Sequence, residues 1–301
     1  MIDHIDRPRT RRLHNRLALL LAMAWPAATH ASPPQTLSVA DRKAATARPV
    51  AVSVPQPRLG TSVEIGRVAV DGYGGGLIGM VVIAAMDDKR QVMTARASGE
   101  ADSIVAPLAA ALASTDIADL ALQATRKAIA RTAGFDVSAT SLVPGPDAAT
   151  DTTLAANHRA SQLGTVTYRY QMSPDFTQLQ VIADLSVVGT PGLAPLYAQR
   201  VVSLVELRQR SYDHKANVDR WLRDDARVAR QALAAAFLRF DQILPVVVGL
   251  DPASFALKTN SHRTGPSFAA GYYGPTLLRD DVGVVIWSKR IGFIAVQPAG
   301  D

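Results

Sequence analysis

The 301-residue sequence contains no cysteine. This excludes disulfides, a thiol nucleophile, cysteine-ligated zinc or iron–sulfur clusters, and a lipid anchor carried on cysteine. Histidine numbers 6. The ones beyond residue 31 are His158, His214 and His262, and none stands in H-E-x-x-H or another short metal-ligand spacing. No serine is followed three positions later by lysine, so the penicilloyl-serine pattern is missing. Gly265-Pro266-Ser267-Phe268-Ala269 lacks the closing glycine of a nucleophile elbow, and no histidine follows it. Asp213-His214 is a lone pair that reads as a surface contact or the lead-in to a helix. The sequence therefore offers no catalytic residue, no cofactor-binding residue and no metal ligand. A carboxylate pair assembled in space would leave no such trace.

What is present begins with a basic, then apolar, leader. Arg7, Arg9, Arg11, Arg12 and Arg16 precede the run Leu17 to Trp25, Pro26 breaks it, and Ala27-Ala28-Thr29-His30-Ala31 supplies small residues. This is the layout of a signal peptide over residues 1–31, with cleavage expected near Ala31 and export to the periplasm. The run falls short of the ~20 residues that cross a bilayer. Arg11-Arg12 lacks the apolar pair that follows a twin-arginine signal. The leader holds five Arg and two Asp, so half of the formal net charge of +6 belongs to it. The basic balance is thus no sign of nucleic-acid binding, and no nucleic-acid partner is expected.

With 48% hydrophobic and 19% charged residues, the rest suits a folded body. Residues 32–60 carry Pro33, Pro34, Pro49, Pro55 and Pro57 and no aromatic, and read as a disordered linker. Residues 61–142 read as a Gly-rich strand–helix segment, with a bulged strand over Val63 to Val70. Ile104, Leu108 and Leu112 predict a helix, and Ser114-Thr115-Asp116 restarts it towards Ile117, Leu120, Ala124 and Ala128. Between Tyr73 and Phe135 there is no aromatic side chain, so packing here falls to alanine and aliphatics. Residues 143–163 read as a loop or linker, and 164–301 as an α+β body; 61–301 also reads as one domain.

The alternation of Val166, Tyr168, Tyr170 and Met172, then of Leu179, Val181, Ala183, Leu185 and Val187, predicts two strands around the turn Ser173-Pro174-Asp175. A third follows over Tyr197 to Arg208. Asn217 is expected to cap a helix ending at Leu244 before Pro245, with an apolar stripe facing the sheet. Val282 to Trp287 and Ile291 to Val296 predict a C-terminal hairpin. The expected fold is α+β: an antiparallel sheet, made of a three-stranded meander and this hairpin, covered by long amphipathic helices.

Three features suggest contacts. Gly74-x-Gly76-x-x-Gly79 fits the dinucleotide fingerprint, but no second strand ending in an acidic residue follows it. Gly75 and Gly79 with Leu77 and Ile78 instead suggest a membrane or oligomer contact, against the plainer reading of a core helix. Arg220, Arg223, Arg227 and Arg230 share one helix side and suggest an anion contact, against a solvated face paired with Asp219, Asp224 and Asp225. Phe268, Tyr272 and Tyr273 among Gly and Ala suggest a ligand loop, against a loop that plugs the core.

Together these features describe an exported, non-enzymatic binding or envelope-assembly protein. Its partners would be an envelope protein, a membrane surface or a second copy of the chain. The rivals are a periplasmic hydrolase with a spatially assembled acid/base pair, and a soluble small-ligand binder.

Overall fold

A computed structural model of the chain describes residues 33–43, 46–62, 97–145, 148–190, 194–260, 266–269 and 271–300. Residues Ser32–Asp301 form one compact unit. Its centre is three long strands, β4 (Gln162–Met172), β5 (Gln178–Gly189) and β6 (Ala194–Glu206). They pair antiparallel, with Tyr168 opposite Ala183 and Ala183 opposite Val201. Because successive side chains alternate, this register collects the apolar positions on one face and the polar ones on the other.

The expectation of a purely antiparallel sheet needs correction. The sheet is mixed, ordered β3-β1-β4-β5-β6-β10-β9-β8-β7, with β2 (Gly60–Thr61) also paired to β4. On one flank β1 (Arg48–Ser53) lies parallel to both β3 (Val137–Val143) and β4. On the other, β10 (Gly292–Pro298) runs parallel to β6 and antiparallel to β9 (Val284–Ser288). β8 (Tyr272–Arg279) and β7 (Pro266–Ala269) complete that side. The parallel pairs arise because helical crossovers separate their strands in sequence, a relationship that local alternation does not encode.

The stretch 32–60, expected as a disordered linker, holds α1 (Val39–Arg42) and β1. All six residues of β1 are buried, so no polar alternation marks it. Its proline is accommodated by a register slip between Arg48 and Pro49, where a missing N–H would otherwise break the ladder. Arg48 is itself buried, its guanidinium 4.1 Å from the Phe135 ring centre and donating to the carbonyls of Asp41 and Arg42. Burial pushes its pKa down to about 10, with Asp136 and Asp41 opposing.

Helices cover one face. α2 (Ala97–Leu112) and α3 (Ile117–Arg131) meet at 75°. Asp116 caps α3 by accepting from the Asp119 N–H at 2.9 Å. α6 (Arg223–Gly249) lies beside α3 on β5 and β6. It is long and apolar enough to cross a membrane, yet 61% of its most apolar stretch is buried in this fold. Between helices and sheet, Tyr168 packs on Phe237 and Phe240 with ring centres 5.4 and 5.3 Å away. Its hydroxyl meets Thr125 Oγ1 at 2.9 Å.

Other boundaries also differ from expectation. Residues 143–163 contain α4 (Ala148–Asn157) rather than only a loop. Asn217 is no cap: it lies buried inside α5 (His214–Trp221), which Asp213 caps. Pro245 does not stop α6: the buried packing of Ile243, Leu244, Val247 and Val248 around it offsets the lost backbone bond and the ring's clash with the preceding turn. The strand and apolar run expected over 63–86, including Gly75, Leu77, Ile78 and Gly79, lie outside the described residues.

Candidate functional site: a polar groove on the face opposite α3 and α6

The face of β4–β5–β6 turned away from α3 and α6 carries Thr165, Thr167, Arg169 and Gln171 on β4. Asp184, Gln180 and Gln178 sit on β5, with Arg200 and Val202 on β6. The register sets Asp184 opposite both Thr167 and Arg200. Asp184 thereby sits between two guanidinium groups. Arg169 Nη2 donates to Oδ2 at 2.6 Å, and Arg200 Nε donates to Oδ1 at 2.7 Å. The bond to Asp184 is the chief reason the Arg200 pKa is raised, against a smaller opposing effect of burial. The three side chains are 44%, 36% and 50% exposed. Such open ion pairs contribute only ~0–1 kcal/mol each, so they can re-pair with an incoming ligand at little cost.

Next to them runs an amide ladder. Gln171 donates to Gln180 at 3.1 Å, Gln180 to Gln178 at 3.2 Å, and Gln178 to Glu206 at 3.2 Å. Asp175 closes this end. Burial pushes its carboxyl up, but bonds from the Ser173 and Thr177 hydroxyls and the Thr177 N–H outweigh burial and hold it below the usual range.

The opposite wall is the β9–β10 turn and the start of β8. Lys289, Arg290, Ile291 and Tyr272 border two joined depressions of about 550 and 620 Å³. Ile291 and Tyr272 pack on the apolar cluster of Val202, Leu204, Val284, Ile286 and Ile294. The turn reaches this position because Gly292 has φ +106° and no Cβ. A Cβ there would fall 2.3 Å from the Arg200 carbonyl oxygen. Among the described residues that border the groove, Arg169, Arg200, Lys289 and Arg290 stand against the carboxylates Asp175 and Asp184, with Glu206 at the end of the amide ladder.

Sequence-predicted site residues fall in different places. Tyr272 borders the groove, whereas Tyr273 is 65% exposed. The segment expected as a loop around them is the β7–β8 hairpin; the Phe268 side chain lies outside the described residues. Arg220, Arg223 and Arg227 line one pocket at the joint between α5 and α6, apart from the groove. Arg230 is not among its lining residues and pairs with Asp225 at 2.9 Å. The groove's own residues were visible only as the polar half of alternating strands. Their meeting depends on pairing across 15 and 16 positions of sequence.

Among the described residues no group of three or more His, Asp or Glu is placed to hold a metal ion. His158 Nδ1 lies 3.4 Å from the Ser138 hydroxyl, and His214 packs edge-on against Phe176. Neither has a carboxylate partner among the described residues. His262 lies outside them.

No protein-family model and no curated protein matches the chain. Among solved structures it is similar to protein XCC0632 from Xanthomonas campestris, of the family DUF330. That likeness has 7% identity and a TM-score of 0.27 over 72% of this chain and 90% of the other. A PelC dodecamer from Paraburkholderia phytofirmans is similar at 11% identity and a TM-score of 0.21, over 69% of this chain and 95% of the other. Likeness at this level establishes neither a shared site nor a shared activity.

Proposed function

We propose that this is an exported, non-enzymatic binding protein of the cell envelope, and that its groove holds an acidic sugar chain. The observation that carries the reading is the Arg169–Asp184–Arg200 cluster beside Lys289 and Arg290, on the sheet face opposite α3 and α6. Guanidinium groups match carboxylates in planar pairs. Gln171, half-buried at the end of the glutamine ladder, brings an amide with both a donor and an acceptor for hydroxyls. Tyr272 and Ile291 give the apolar faces of a ring something to lie against. The two depressions share Arg200, Arg290 and Ile291 among their bordering residues, which suits a ligand that runs through both. Export rests on the layout of residues 1–31.

The test is equilibrium binding of oligogalacturonate to the purified protein, with neutral dextran oligomers of equal length as control. Saturable, salt-sensitive binding of the acidic chain alone is expected. Arg200→Ala should weaken it at least tenfold, a loss of about 1.4 kcal/mol. Equal binding of both sugars, or of neither, contradicts the reading.

A further inference from the structure

The turn that closes the groove, residues 173–177 between β4 and β5, is fastened from behind by α5. Asn217 is fully buried, and its amide donates to the carbonyls of Asp175 and Ser211, both at 2.9 Å. Its side-chain oxygen accepts from the Ser211 N–H at 2.8 Å and from Arg220 at 3.1 Å. One helical turn on, the Trp221 indole is also fully buried and donates to the Phe176 carbonyl at 2.8 Å. Phe176 is buried with a φ of 55°, a left-handed conformation that a non-glycine residue keeps only where its surroundings hold it. The backbone of the turn is thus fixed by buried bonds. The Asp175 side chain, by contrast, is exposed and borders the depression of about 620 Å³.

This places a carboxylate well away from the arginine cluster. Arg169 and Arg200 meet at Asp184. Gln178 stands six positions before Asp184 on β5, roughly 20 Å away at about 3.3 Å per residue, and Asp175 lies in the turn beyond it. The Ser173 and Thr177 bonds keep the Asp175 carboxyl in its charged form. Glu206, at the same end, is paired with Arg210 at 2.8 Å. An exposed carboxylate accepts from sugar hydroxyls and repels a sugar carboxylate. Resting on the reading of the groove as a site for an acidic sugar chain, we infer that Asp175 determines specificity, admitting an uncharged unit of the chain at the turn and rejecting a uronate there. The ligand class narrows to chains in which acidic and uncharged sugars are mixed. A chain acidic at every unit cannot fill both ends of the groove without setting a carboxylate against Asp175.

The test is calorimetric titration with oligogalacturonate and with the same oligomers partly methyl-esterified, which keeps sugar and length and removes the charge of some units. Wild type should bind the esterified chain at least as tightly as the acidic one, although attraction by arginine alone favours the acidic one. This comparison needs no variant, so it stands even if the turn does not tolerate a substitution. Asp175→Asn should tighten the acidic chain about threefold or more and change the esterified chain less than about twofold. Asp119→Asn removes a carboxylate from α3, on the other face of the sheet, and should change neither affinity. Three results overturn the inference while leaving the acidic-sugar reading in place: a wild-type preference for the acidic chain, an Asp175→Asn variant that tightens both chains equally or neither, and an equal gain in Asp119→Asn. Binding of neither chain overturns that reading and the inference with it.

Discussion

Arg239 on α6 grips Asp280, at the end of β8, through both terminal nitrogens, at 2.8 and 2.9 Å. The arginine side chain is 1% exposed and the aspartate 24%. Asp280 also accepts from the backbone N–H groups of Val282 and Gly283, at 3.1 and 2.9 Å. One carboxylate therefore shapes the β8–β9 turn and fastens it to the helix layer. Asp280→Asn leaves a buried guanidinium facing a neutral amide and should cost about 3 kcal/mol in chemical denaturation.

The same pair sets a pH dependence. Burial pushes the Asp280 carboxyl up, but Arg239 and the turn N–H groups outweigh burial and hold its pKa below the ordinary value. A folded pKa below the unfolded one means stability that is complete above about pH 5 and lost as pH falls through the folded value. Stability measured from pH 6 down to pH 3 should fall, and the fall should be shallower in Asp280→Asn.

Tyr168 tests the seam between sheet and helices. Tyr168→Phe keeps both ring contacts but removes the bond to Thr125, and should cost about 1 kcal/mol. Phe237→Ala leaves a void beneath the same ring and should cost about 3–5 kcal/mol. Urea unfolding of the two variants checks the ratio.

Several of these features could be read from the sequence and others could not, for physical reasons. The restart at Asp116 and the turn at Ser173-Pro174-Asp175 are local chemistry, and both appear in the structure. β1 is not local: it is buried on both faces, contains a proline, and owes its existence to β3 and β4 far along the chain. The α5–α6 break was hidden because Arg220, Arg223 and Arg227 keep helical spacing across a backbone that leaves the helix. The polar faces of β4 and β5 were plain from alternation. That Asp184 lands between Arg169 and Arg200 follows only from the register.

Gly292 links fold to groove. Gly292→Ala meets both a positive φ and the Arg200 carbonyl, and should cost at least about 2 kcal/mol. Because it displaces the turn bearing Lys289 and Arg290, it should also weaken oligogalacturonate binding by more than Lys289→Ala does. Unfolding and binding measured on the two variants check this.

The most direct test of the groove is Asp184→Asn. Asp184 is partly exposed, so its loss should cost ~1 kcal/mol of stability or less. It competes with an acidic ligand for Arg169 and Arg200, and its removal raises the local positive charge by one. The account predicts that Asp184→Asn binds oligogalacturonate several-fold more tightly than wild type in calorimetric titration. Weaker or unchanged binding in a folded variant would contradict it.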